Sequence, residues 1–208
     1  MGGSCSDFPW KVPRDMVIPE MIQQGQEAMQ AGNLLKARAL FSTYVTQQDD
    51  GVFADGARWI VASLPDPSDE PGKGFLKRID RLQAMKTSAP KSEYTPWALC
   101  AIGDVYWDAG WYSEASGLFE EFLRTYPEHP LAGGVMVEAG LGFLKNGQYL
   151  EAALVLRRVV EEPMWKAHRV KGALGLADAT AMAKAWKQAY YWYRVVEAER
   201  PELIRQSV

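Results

Sequence analysis

Long apolar runs are missing from this 208-residue chain. No stretch approaches the roughly 18 uninterrupted apolar residues of a membrane-spanning helix. A basic surplus is missing too. The net charge of −3 gives no electrostatic footprint for nucleic acid, whose binders carry clustered Lys and Arg. Cysteine and histidine are scarce, with two of each. Two cysteines do not make a disulfide framework. Cys100, set amid Ala98, Leu99 and Ala101, reads as a buried thiol that packs as a small hydrophobe. His129 lies in the turn Pro127-Glu128-His129-Pro130, and His168 has no carboxylate at i±4 to orient it. A metal site needs several ligands in register, and no such set is spelled out. The composition that remains, 48% apolar and 24% charged, is ordinary for a globular protein.

Catalytic patterns are equally sparse. Pro71-Gly72-Lys73-Gly74 is a poor phosphate loop. A Walker loop needs four residues before Gly-Lys and a Ser or Thr after it, whereas Phe75 follows Gly74. Asp104 and Asp108 share a helix face at i, i+4, but acid/base work needs a pocket that pushes two pKa values apart. The expectation is a protein that is not an enzyme and takes no cofactor, with an enzyme or nucleotide-binding protein as the remote alternative.

What the sequence has is repetition. At a spacing of 37 residues, Gly103, Gly140 and Ala177 correspond, as do Tyr106, Phe143 and Thr180. Ala115, Ala152 and Ala189 follow, then Phe119, Leu156 and Tyr193, then Phe122, Val159 and Val196. Within each copy apolar residues recur at helical spacing, broken at Ala109-Gly110-Trp111, Asn146-Gly147-Gln148 and Met182-Ala183-Lys184. Each copy is therefore two helices with a tight turn between them. Small residues (Gly103, Ala115) stand where the helices cross closely, and large ones fill the gaps beside them. Moving back two periods of 39 finds an earlier copy, in which Gly25, Ala28, Gly32, Ala37, Phe41 and Tyr44 occupy the same slots. Between them lies a degenerate unit over 52–90, interrupted by the proline-rich, acidic stretch 65–74. A fixed period of this length means stacked helical units. Five hairpins then account for residues 17–208, behind a tail over 1–16.

The slots Gly103, Tyr106, Ala115, Phe119 and Pro127 resemble the signature of the tetratricopeptide repeat family, although its usual period is about 34. The stretch Phe119–Leu131 is similar to the longer-period subtype of bacterial envelope proteins, such as outer-membrane-protein assembly lipoproteins and the periplasmic coordinator of the Tol–Pal system. The resemblance implies an all-α fold, a right-handed α-solenoid of about five hairpins. It also implies a non-catalytic scaffold that binds a protein or peptide segment in a concave groove lined by the first helices. Carried onto this chain, that groove takes Trp97, Cys100, Asp104, Trp107 and Asp108 from the third unit. It takes Val137, Glu138, Leu141, Leu144 and Lys145 from the fourth, Val170, Ala173, Leu174 and Asp178 from the last, and Ile22, Gln26 and Met29 from the first. Trp97 and Trp107 are the expected anchors. The wall lacks the Lys/Asn/Arg clamp of chaperone-binding relatives, so an extended or helical segment with apolar anchors suits it better than a terminal carboxylate.

Charge alternates along the chain. Residues 73–91 carry six cations against Asp80, and 104–128 carry six carboxylates against Arg124. Two readings stay open: solvated faces that attract between units, or a bipolar surface steering a partner.

The two ends carry their own signals. Met1-Gly2-Gly3-Ser4-Cys5-Ser6 fits an N-myristoylation pattern, a short leader before a lipoprotein's Cys5, or a plain tail. Cys5 is the candidate lipidation site. No basic-plus-apolar signal peptide is present, so as written the chain is cytoplasmic, or periplasmic or outer-membrane if the lipoprotein reading holds. After Pro201 too little follows for the polar cap that solenoids use. Tyr190, Tyr191, Trp192 and Tyr193 cannot share one side of a helix. An exposed aromatic end points to self-association or a partner.

Overall fold

The computed structural model describes residues 16–48, 51, 53–64, 66, 74–88 and 90–204. Ten helices pair into five antiparallel hairpins, and no strand occurs among the described residues. The pairs are α1 (Glu20–Gln30) with α2 (Leu34–Gln47) and α3 (Ala54–Ser63) with α4 (Gly74–Ser88). They continue with α5 (Thr95–Asp108) and α6 (Tyr112–Thr125), α7 (Ala132–Lys145) and α8 (Tyr149–Glu161), and α9 (Arg169–Met182) and α10 (Trp186–Glu199). A 3-10 helix, Pro163–His168, precedes α9, and a four-residue α11 (Pro201–Ile204) ends the described chain. Neither of these short pieces is announced by the 37-residue pattern.

The turns repeat as closely as the helices. Gly32, Gly110 and Gly147 have φ values of 73°, 79° and 77°. In each turn the glycine N–H donates to the carbonyl three residues back, and the next N–H donates to the carbonyl five back, as in Gln148 to Phe143. This is the Schellman closure, which satisfies the last carbonyls of the first helix. The fourth turn makes the same pair of bonds, Lys184 to Ala181 and Ala185 to Thr180, but on a lysine at φ 61°. A side chain there crowds the backbone. Lys184→Gly is therefore expected to raise stability by about 0.5–1 kcal/mol, measured as a higher urea midpoint. An unchanged or lower midpoint would contradict it.

Small-to-large contacts hold the hairpins. A Cβ at Gly25 would lie 2.7 Å from Phe41 Cζ, and one at Gly140 would lie 2.7 Å from Leu156 Cδ2. The two glycines occupy one slot, and so do Phe41 and Leu156, which confirms the register across copies. Between hairpins, Gly142 of α7 lies against the Ser116 side chain of α6, and Gly172 of α9 lies against Val159 of α8.

The described residues divide into two compact units, one running to Val105 and one from Tyr106 onward. The helix α5 begins in the first and ends in the second. In the unit from Tyr106, the core gathers Met136, Val137, Phe143, Leu156, Val159, Trp165, Leu176 and Val196. Leu203 of α11 packs against it. Such interlocking, apolar on apolar, supplies most of the stability of short helices that are marginal alone. In the unit ending at Val105, Arg38 of α2 donates from Nη1 to the carbonyls of Val61 and Leu64, at the end of α3, and from Nη2 to Asp66 at 2.5 Å. Arg81 of α4 adds a bond to the Leu64 carbonyl at 3.3 Å. The interrupted second hairpin is thereby clamped where its own helix geometry runs out.

Candidate functional site

The resemblance places the expected groove on the first helices. In the unit from Tyr106 these are α7 and α9. Residues three and four apart on a helix share a face, so Glu138, Leu141 and Lys145 form one stripe on α7. Lys171, Leu174 and Asp178 form the neighbouring stripe on α9. The two stripes touch. Lys171 Nζ lies 2.5 Å from Glu138 Oε1, and Leu141 packs over Gly175, where a Cβ would lie 3.0 Å from Leu141 Cδ2. Leu141 and Leu174 are half-buried against the core cluster, and Lys145 is exposed. Asp178 does not stand free on the wall: its Oδ1 accepts a 2.6 Å hydrogen bond from the Tyr193 hydroxyl of α10. Burial, and then that bond to Asp178, push the Tyr193 hydroxyl up to about 12.

The expected wall is narrower than the resemblance implied. Val137 is 1% exposed and belongs to the core, and Ala173 is buried with it. Leu144 is half-buried against the same cluster. Asp108 is exposed. Trp107 packs edge-on to Tyr112 with ring centroids 5.0 Å apart, and its Cζ3 lies against Gly142 of α7. The expected anchor is thus wedged between hairpins.

In the unit ending at Val105, Trp97 meets Trp59 edge to face, at 6.5 Å and 77°, so the second expected anchor is also engaged within the fold. Asp104 is half-buried. Cys100 is 1% exposed, which corrects its reading as a groove residue. Cys5, the candidate anchor, lies outside the described residues. Within the basic run, Arg81 turns inward to Leu64, and Lys77, Arg78 and Lys86 have partners as well.

Sequence reasoning missed two working residues, Arg38 and Lys171. Each acts across more than 20 positions of chain, a distance over which helical periodicity carries no signal.

His168 lies by Gly133 beside Trp165, and burial, with Lys171 adding to it, lowers its pKa. A shallow depression of about 350 Å³ lined by Gly110–Glu114 and Asn146 is open and polar. Among the described residues no three His, Cys, Asp or Glu side chains gather to hold a metal, and no helix is long and apolar enough to cross a membrane.

No protein-family model matches the chain, and no curated protein matches its sequence. Solved structures do match its shape. A tetratricopeptide repeat protein from Parabacteroides merdae superposes with a TM-score of 0.67 at 14% identity, covering 88% of this chain. This chain spans 66% of that one, just under two thirds of it. The nearly identical TPR-like repeats of a putative kinesin light chain from Podosopora anserina give 0.64 at 18% identity, with coverage of 89% and 95%. Bacillus thuringiensis PlcR, in complex with the peptide PapR7 and DNA, gives 0.54 at 12% identity, with coverage of 89% and 72%.

The fold is the tetratricopeptide-repeat fold. At these identities the likeness speaks for architecture alone.

Proposed function

We propose that the protein is a non-catalytic scaffold that holds an extended or helical protein segment against the α7–α9 wall. The observation that carries this reading is the latch between first helices. The Glu138–Lys171 pair, bridging 33 positions at 2.5 Å, holds the two stripes together before any partner arrives. A wall ordered in advance loses less freedom on binding. Half-buried Leu141 and Leu174 supply apolar contact, and exposed Lys145 supplies charge at one end. Where Glu138 is already paired with Lys171, the wall is less acidic than its composition, so apolar anchors on the partner matter more than basic ones. A solved neighbour of the same fold, PlcR, carries the peptide PapR7, which supports the peptide-scaffold reading. No observation on the described residues favours the Cys5-anchored reading over this one.

The test is a displayed peptide library selected on the immobilised protein, followed by fluorescence anisotropy of the selected segments. Lys145→Glu with Lys171→Glu alters the wall without touching the core, and is expected to weaken binding about tenfold or more. Arg157→Glu, on the exposed face of α8, is expected to leave it unchanged. If no segment is retained, or if the Arg157 variant weakens binding as much, the reading is wrong.

A further inference from the structure

The second helix of each hairpin meets the next hairpin through one repeating face. On α6 that face includes Tyr112 and Ser116, and Ser116 lies against Gly142 of α7. On α8 the corresponding positions are Tyr149 and Ala153, one turn before Leu156, which lies against Gly175 of α9. Both tyrosines are half-buried. On α10 the same two slots hold Trp186 and Tyr190, and these are 66% and 68% exposed. Of the four aromatics in a row, Trp192 joins the core and Tyr193 reaches Asp178, while Tyr190 and Tyr191 face out. The face that is covered in every earlier hairpin of this unit is here large, aromatic and open.

We propose that this face takes a second copy of the chain, α10 against α10, antiparallel about a two-fold axis near Tyr190. Three features favour that occupant. The first is continuity: the patch is the same surface the fold already uses to bind a hairpin. The second is charge order. A helix is stabilised by anions at its start and cations at its end, but α10 has the reverse. Lys184 and Lys187 stand at its start and make no ion pair among the described residues, while Glu197 and Glu199 stand at its end. Glu199 is engaged by Arg169, and Glu197 only by Arg194 of its own helix at 2.7 Å. An antiparallel copy brings Lys184 and Lys187 toward the second copy's Glu197, and Trp186 toward the second copy's Arg194, a cation–π arrangement. The third is steric. Head-to-tail stacking would place α1 where α7 lies on α6. It would set Tyr190, in a slot that is otherwise Ser116 or Ala153, against Glu27, in a slot that is otherwise Gly142 or Ala179. A large ring opposite a carboxylate blocks the close approach that a glycine permits, so the open-ended filament that head-to-tail contacts generate is disfavoured and the closed pair is left.

Sedimentation velocity of the full chain from 1 to 500 micromolar, about the range over which a weak standard interface forms, tests this. A single dimer, with no larger species, is expected. Trp186→Glu with Tyr190→Glu changes only exposed side chains, so its circular dichroism should match the parent while its dimer dissociation constant rises about tenfold or more. Lys187→Glu should weaken the dimer, and adding Glu197→Lys should restore it, since each copy then offers the swapped charge to the other. A monomer at every concentration, a series growing beyond the dimer, an unaffected Trp186/Tyr190 variant, or failed rescue by the charge swap would each overturn the proposal.

Discussion

Gly140→Ala is expected to lower the stability of the protein by about 3 kcal/mol, at the upper end of the usual overpacking cost. The added methyl would meet the Leu156 side chain, with Cδ2 at 2.7 Å and Cγ closer still, and Leu156 is itself fully buried. Neither helix can slide away cheaply. On its far side Leu156 already lies against Gly175, where a Cβ would be 3.0 Å from its Cδ1. One leucine thus fills two glycine notches, one on each neighbouring first helix. Urea unfolding followed by circular dichroism gives the number. The variant Leu156→Ala should cost a similar amount through the cavity it leaves. The double variant should cost less than the sum, because the new methyl occupies part of that cavity. Additive costs would mean that the two residues do not meet, and the assigned register of α7 on α8 would fall with them.

The second large effect belongs to the interrupted hairpin. Arg38→Ala is expected to cost about 3 kcal/mol, the scale for removing one partner of a buried pair. The side chains of Arg38 and Asp66 are 12% and 23% exposed. Truncation would leave the Asp66 carboxylate without its guanidinium and would strip a donor from the carbonyls of Val61 and Leu64. The end of α3 normally lacks intrahelical donors, and a cation there also complements the helix dipole. Arg38→Lys should recover only part of the loss, since an ammonium lacks the planar fork that reaches carbonyls and carboxylate together. Hydrogen exchange at the amides of 54–64 should report the loss most strongly. If that segment exchanged at the parent rate in Arg38→Ala, the clamp would be structurally idle.

These two residues mark the limit of what could be read from the chain. Gly140 was legible: it recurs at a fixed period opposite a large residue, and a repeat states its own packing rule. The turns were legible for the same reason, down to a break at Met182-Ala183-Lys184 where no glycine marks it. That Lys184 adopts the left-handed conformation follows from the closure the other turns make. Arg38 was not legible. Its acceptors lie 23 to 28 positions away, and no period connects them. The groove shows the same division. Helical spacing puts Glu138, Leu141 and Lys145 on one stripe of α7, but the resemblance also put the buried Val137 on the wall. A helix face is a continuous arc, and only the neighbouring helix decides where its covered part ends. Trp97 and Trp107 are aromatics of the kind that often anchors an interface, but spacing carries no sign of what covers them. Trp59 and Tyr112, which engage them, could be identified only once the hairpins were stacked.

By itself the sequence determined the helical class, the five hairpins, their turns and the slots where small meets large, because these depend on contacts within one repeat or between adjacent ones. The tertiary structure decided which residues of the first helices remain open, that Lys171 pairs with Glu138, that Arg38 closes the damaged hairpin, and that Trp186 and Tyr190 stand uncovered. Those depend on burial and on partners far apart in the chain. A repeating pattern specifies how neighbouring helices fit, whereas exposure is settled by everything packed around them.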